Sequence, residues 1–239
     1  MMKLPLISYP TYSVKLPISD TIVRYRPWVS IENKKFLTAC LSKNKIIIFE
    51  AIIEILKETT FNAIPLDDLP SADIEYLFIK VKAASKGEII ELTYAANQER
   101  DGIDELIPVE LNLLDVELTP LEEKTIHLSG GIGVEMKFPS FTDSLKIEEL
   151  EDEYEKIAHL VDFVFDEKNV YKVENKSGEF DVSYKETTEW LKKLLDTDLE
   201  KIIKFTTSLP TIRTTISFFF GIPPIEKKIE LVGLHDFFL

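Results

Sequence analysis

In the stretch TTISFFFGIPPIEKKIELVGL, two apolar runs, residues 215–220 and 225–232, flank a tip of Gly221, Ile222, Pro223 and Pro224. Turn residues between two strand-forming runs predict a β-hairpin. A hairpin pairs its strands antiparallel through a local turn, without the long crossover that parallel strands need. The tip itself carries no ligand, nucleophile or charge. The hairpin is therefore expected to serve packing rather than chemistry.

Other segments repeat the theme. In TYSVKLPISDTIVRYRPWV, Tyr12, Val14 and Leu16 alternate with polar residues, Pro17–Asp20 form a turn, and Pro27 closes an opening hairpin. Ser30 reads as the N-cap of a helix to about Leu41. Ile48, Ile52, Ile55 and Leu56 fall on one face of a helix over 45–59. Ser71 reads as the next N-cap, Ile74, Leu77, Phe78 and Val81 as the buried stripe, and Gly87 as the stop. GEIIELTY and LIPVELNLLDVEL then read as two strands around a polar tip, ANQERDGIDE, a weak echo of the C-terminal hairpin.

Beyond this point, Gly130, Gly131 and Gly133 cluster before the strand IGVEMKF. A phosphate loop needs a following helix and a lysine, so a bulged turn is the reading preferred here. FPSF, ending at Phe141, marks the expected domain boundary. SLKIEELEDEYEKIAHLVDFVF is expected to be one acidic helix with Ile147, Leu150, Tyr154, Ile157 and Val161 on one face. KETTEWLKKLL and DLEKIIKFTTSL predict two short helices, and GLHDFF a closing helical turn. The expected architecture is α+β: β-hairpins packed against helices in two modules, a hairpin–helix–hairpin module over 1–141 and a helical module over 142–239 ending in the hairpin.

The 239 residues suffice to bury about 70% of the unfolded surface without staples. The net charge of −14 argues against nucleic acid and anionic membrane as partners and favours basic ones. Cys40 is the single cysteine, which excludes an internal disulfide and a cysteine-based zinc site; a buried structural thiol is expected. MMKLPLISYP lacks the apolar core of a signal peptide, and no apolar run approaches the ~18 residues that span a bilayer. The expected setting is the cytoplasm, including that of a virus-infected host.

No catalytic residue or metal ligand stands out. His127, His159 and His235 lack a second histidine at helical spacing, there is no G-x-S-x-G elbow, and the acidic pairs lack the glycine and alternation of a calcium loop. No cofactor is implied. The most distinctive local cluster is VRYRPW, in which Arg24 and Arg26 project to one side of an extended strand and Tyr25 to the other. These arginines either pair with internal carboxylates or, with Trp28, contact a partner. The run Phe218-Phe219-Phe220 puts at least one ring on an outer face, covered by a helix of the same chain or by another subunit. Phe219, with Phe237 and Phe238 of the apolar C-terminus, completes the set of partner-contact candidates.

Taken in order, YPTYSVKLPISDTIVRYRPW, IENKKFL, DIEYLFIKVKAASKGEIIELTY, FPSF, the acidic segment and FTTSLP…IELVGLHDFF resemble the baseplate hub proteins of T-even-type contractile-tail bacteriophages, over nearly the whole chain. The resemblance implies a structural or assembly role with no catalytic residues. It implies contacts with other hub, tail-tube or tape-measure proteins, and a place in the virion tail baseplate after synthesis in the host cytoplasm. A transient, non-virion assembly factor is the alternative, and a tail-associated hydrolase a more distant one. The resemblance also implies paired cysteines at the two hairpin tips, as in a zinc ribbon. This chain departs from that pattern, because AANQERDGIDE and GIPPIE contain no cysteine. The last tip is expected to be held instead by apolar contact through Ile222, Pro223, Pro224 and Ile225, with the proline pair reducing unfolded-state entropy. Elemental analysis of the purified protein is accordingly expected to find no stoichiometric zinc; about one zinc per chain would overturn this account of the tips.

Overall fold

The structure is a computed structural model and describes residues 5, 7–97, 104–175, 178–220 and 225–238. Among them are eleven strands and eight α-helices arranged as an α+β fold with four small sheets. The chain divides into two compact units: residues 1–119 together with 211–239, and residues 120–210.

The first unit opens with β1 (Tyr12–Lys15) and β2 (Ile22–Tyr25), paired antiparallel with Tyr12 opposite Tyr25. Three helices follow: α1 (Ser30–Leu41), α2 (Lys45–Thr59) and α3 (Ser71–Lys86). The helical stripes read from the sequence are the buried ones. Ile48, Ile52, Ile55 and Leu56 of α2 are buried, as are Ile74, Leu77, Phe78 and Val81 of α3. Gly87 stops α3 with φ of 100°, a conformation open to glycine, while its N–H closes back on Ala83 O. The caps differ from expectation. Ser30 and Ser71 are the first helical residues, and Val29 and Pro70 are the N-caps. At α1 the carboxylate of Glu32 reaches back to accept the Val29 N–H at 2.6 Å, satisfying the amide of the N-cap residue itself.

Two long hairpins complete this unit. β3 (Ile89–Asn97) pairs with β4 (Asp104–Asn112); a short β5 (Glu117–Leu118) lies further on. The opening and closing parts of the second unit intervene before the last hairpin, and β5 lies beside that hairpin in one sheet. The two tips, residues 98–103 and 221–224, lie outside the described residues, as does the side chain of Ile225. Below them, the rings of Tyr94 and Phe218 meet at 5.1 Å and join the two hairpins.

The second unit begins with β6 (Thr125–His127) and β7 (Gly133–Met136), continues through α4 (Phe141–Glu148) and α5 (Glu153–His159), and returns with β8 (Val161–Phe165) and β9 (Val170–Lys172). The four strands form one antiparallel sheet in the order β6-β7-β8-β9. Then come α6 (Tyr184–Leu191) and α7 (Asp196–Thr207). The core joins Val134 and Met136 of the sheet to Ile157, Leu191, Ile202 and Phe205 of the helices. The glycine cluster is a turn, with Gly130 and Gly131 at φ of 76° and 75°. Its leading amide, Ser129 N–H, is bound at 3.0 Å by Asp198, which stabilises the turn rather than opening an anion cradle. The expected single acidic helix is two helices and a strand. Asp152 caps α5 by accepting the Tyr154 N–H at 2.8 Å, and the β-branched Val161 and Val164 enter the sheet.

The last hairpin belongs to the first unit: β10 (Ile212–Phe220) and β11 (Ile225–Val232), followed by α8 (Gly233–Phe238). Phe141 is buried within residues 120–210, and the chain leaves and re-enters the first unit at neighbouring backbone positions. Thr119 N–H donates to Thr211 O at 2.9 Å, and Thr211 N–H to Thr119 Oγ1 at 3.1 Å.

α3 carries the polar fastenings of the first unit as well as its core stripe. Fully buried Asp73 accepts the N–H groups of Ile18 and Ser19, both at 2.9 Å, holding the β1–β2 turn. Glu75 accepts Thr211 Oγ1–H at 2.7 Å and Ile212 N–H at 3.1 Å, holding the start of β10. Replacing Asp73 by alanine leaves two amides unsatisfied. We expect Asp73→Ala to lower stability by about 1–3 kcal/mol per orphaned group in urea melts; an unchanged midpoint would show that the turn is not held by this carboxylate.

Candidate partner interface

The sequence singled out six residues for partner contact, and the structure places them in different environments. Arg24 points outward from β2, where its guanidinium Nη2 donates to Thr11 Oγ1 at 3.1 Å. Tyr25 turns inward and stacks on Tyr12. Arg26 lies just past the strand end and does not share the exposure of Arg24. Its guanidinium forks onto Glu32, with contacts of 2.6 and 3.0 Å, and only 14% of the arginine side chain and 8% of the glutamate side chain are exposed. This is the internal pairing that the sequence left open as one of two readings.

Trp28 is buried against Phe36 and Phe78, with ring centroids 5.7 and 5.5 Å away, and its N–H donates to Ser85 Oγ. Among the described residues its buried indole Nε1–H has no hydrogen-bond partner. Phe237 is 1% exposed and fills the core beneath the last hairpin. The side chain of Phe238 lies outside the described residues. Phe219 keeps the outward position: it is 70% exposed, while its neighbour Phe218 is buried. The alternation of a two-sided strand thus divides the phenylalanine run.

The electrostatics of the Arg26–Glu32 pair follow from its geometry. Hydrogen bonding to Glu32 holds the guanidinium in its charged form and raises its pKa, against the effect of burial. Burial alone would push the Glu32 carboxyl up. The bonds from Arg26 and the Val29 amide together outweigh it, and the carboxyl titrates below its usual value.

Several exposed positions were not singled out by the sequence reading. Leu37 and Leu41 of α1 are exposed, Leu41 by 83%, as are Ile46 and Ile47 at the start of α2. The helical period could have shown Leu37 and Leu41, because they fall away from the buried Phe36 and Ala39. In the second unit, an open groove of about 330 Å³ is lined by Ile132, Val164, Phe165, Tyr171, Val182 and Trp190 among others. Cys40, expected to be buried, is half-buried, and burial raises the pKa of its thiol. Among the described residues, no group of three or more His, Cys, Asp or Glu side chains is placed to hold a metal ion, and no helix is long and apolar enough to cross a membrane.

The fold and surface define an α+β protein of small antiparallel sheets and helices, whose distinctive residues divide between internal fastening and outward-facing apolar positions. The chain belongs to the T4 bacteriophage base plate protein family, which it matches over residues 9–239. No curated protein and no solved structure matches it.

The buried ion pair gives a test. A depressed carboxyl pKa contributes stability that is present above the unfolded value and lost as pH falls through the folded value. Glu32→Gln should therefore flatten part of the acid limb of the pH–stability profile. By leaving Arg26 buried without its counter-charge, it should also cost about 3–5 kcal/mol near neutrality, read by denaturant melts. Equal stability of wild type and variant at neutral pH would show that Arg26 finds solvent or another partner.

Proposed function

We propose that this protein is a structural component of the phage baseplate hub and acts through protein–protein contacts. Family membership supports a place in the tail baseplate. The observation that carries the contact mechanism is the outward apolar set: Phe219 on β10, with Leu37, Leu41, Ile46 and Ile47 on α1 and α2, stands exposed in a chain of net charge −14. Contiguous exposed apolar surface marks an interaction site, and Leu37, Leu41, Ile46 and Ile47 fall in one short stretch across the α1–α2 junction. The charge keeps the unassembled protein soluble and steers it toward basic surfaces. The partners in this reading are other hub, tail-tube or tape-measure proteins, and the location is the virion tail baseplate after synthesis in the host cytoplasm. The reading assigns no catalytic residue, metal or cofactor.

The same acidity supports a second reading, a non-virion factor that keeps hub proteins soluble until they assemble. The apolar C-terminus gives it less support than the sequence suggested, because Leu234 and Phe237 are buried in their own unit. Quantitative mass spectrometry of purified virions beside infected-cell lysate separates the two. We expect the protein in virions at a fixed ratio to known baseplate subunits. Abundance in lysate with absence from virions would establish the assembly factor instead.

A further inference from the structure

The two long hairpins of the first unit present strand edges that differ in how they meet solvent. Backbone groups in an antiparallel pair turn alternately inward and outward. Leu113 N–H donates to Glu88 O at 2.7 Å, so the bonded pairs of the first hairpin continue as 90/111, 92/109 and 94/107. Residues 89, 91, 93 and 95 of β3 and residues 108 and 110 of β4 therefore turn their backbone groups outward. In the second hairpin, Val232 N–H goes to the Asp236 carboxylate at 2.9 Å, so residues 226, 228, 230 and 232 of β11 turn theirs outward.

Two of these edges are protected against further pairing. β4 has Pro108 at an outward position, where it offers no N–H. β11 has Glu226, Lys228 and Glu230 in succession at its outward positions, all exposed, with Lys228 near Glu226 and Arg213 near Glu230. Charged residues, lysine above all, are a common guard of an edge strand. β3 has neither device. From Ile89 to Asn97 it contains no proline and no lysine, and Glu91 is its single charged residue.

The layer beneath β3 is also incomplete. Val109 and Leu111 of β4 are buried, but their partners Leu92 and Ile90 are half-buried, and Tyr94 on the same face is exposed. A strand added beside β3 would cover these residues.

Charge selects the kind of strand. Glu91 and Glu110 stand directly opposite on the outer face, both exposed, and neither β3 nor β4 contains a lysine or arginine. Like charges directly across a pair are destabilising. A second copy of this chain would bring another Glu91 to the edge, whereas a cationic residue beside Glu91 would offset the repulsion.

We propose that the outer edge of β3 takes up, by strand addition, an extended segment of a neighbouring protein in which apolar residues alternate with lysine or arginine. The inference deepens the proposed function and rests on it only for the neighbour's being a tail protein. The test uses the full chain and a fluorescent peptide alternating valine with lysine, matched in length to β3, followed by anisotropy at physiological ionic strength. A second peptide carries the same side chains but is N-methylated at alternate amides, which removes its capacity to pair. We expect saturable binding that weakens by roughly tenfold or more on N-methylation, as loss of several hydrogen bonds requires. Thr93→Pro should weaken it similarly, because the Thr93 N–H faces outward and its loss breaks no bond to β4. Undetectable binding, or equal binding of the two peptides, would overturn the proposal, since the second outcome assigns the attraction to acidity alone. A wild-type dimer in sedimentation velocity that Thr93→Pro abolishes would also overturn it, by giving the edge to a second copy. If the proline variant melts early, the comparison of the two peptides on wild type still decides. Failure of the hub reading would appear in virion composition, which this assay does not touch.

Discussion

The first unit depends on the burial of one helix. The face of α3 made by Ile74, Leu77, Phe78 and Val81 is withdrawn from water, and the same helix carries the polar groups that fix what surrounds it. Asp73 holds the turn of the opening hairpin, Glu75 holds the first residues of β10, and Ser85 takes the Trp28 amide. Apolar burial supplies the non-directional attraction. The carboxylates and the hydroxyl convert it into defined positions, because each accepts an amide that would otherwise be buried without a partner. A helix placed by burial alone could slide; these bonds set which hairpin meets which turn.

Much of this was legible in the sequence because it is local. α2 and α3 follow from the spacing of Ile48, Ile52, Ile55 and Leu56 and of Ile74, Leu77, Phe78 and Val81, and burial uses the same residues. The hairpins follow from alternation, which also separated Phe218 from Phe219. The acidic segment was illegible as helix–helix–strand. Its apolar residues keep helical spacing across the break, and only the cap at Asp152 and pairing with β7 separate the pieces. The first unit joins residues far apart in the chain, as the hydrogen bonds between Thr119 and Thr211 do, and no local pattern carries such a pairing.

The candidate interface shows the same division. Arg24, Arg26 and Trp28 are neighbours in sequence with one compositional signature, yet the structure leaves Arg24 outside, pairs Arg26 with Glu32 and buries Trp28. Residue type alone does not separate an anchoring aromatic or arginine from an interface one, since both roles reward large, planar, hydrogen-bonding groups. Burial separates them, and burial depends on α1 and α3 being in place. The outward features that remain, Phe219, the α1–α2 apolar positions and the bare edge of β3, are visible once each element's inner face is known.

The nesting of one unit within the other has a consequence for synthesis. Residues 120–210 form an uninterrupted stretch, complete in the chain before the rest of the first unit is made. Residues 1–119 emerge earlier but lack β10, β11 and the buried Phe237, which come after the nested unit. The part of the protein made first is therefore the part finished last. During elongation, Glu75 of α3 waits without Thr211 and Ile212, the groups it binds in the finished unit.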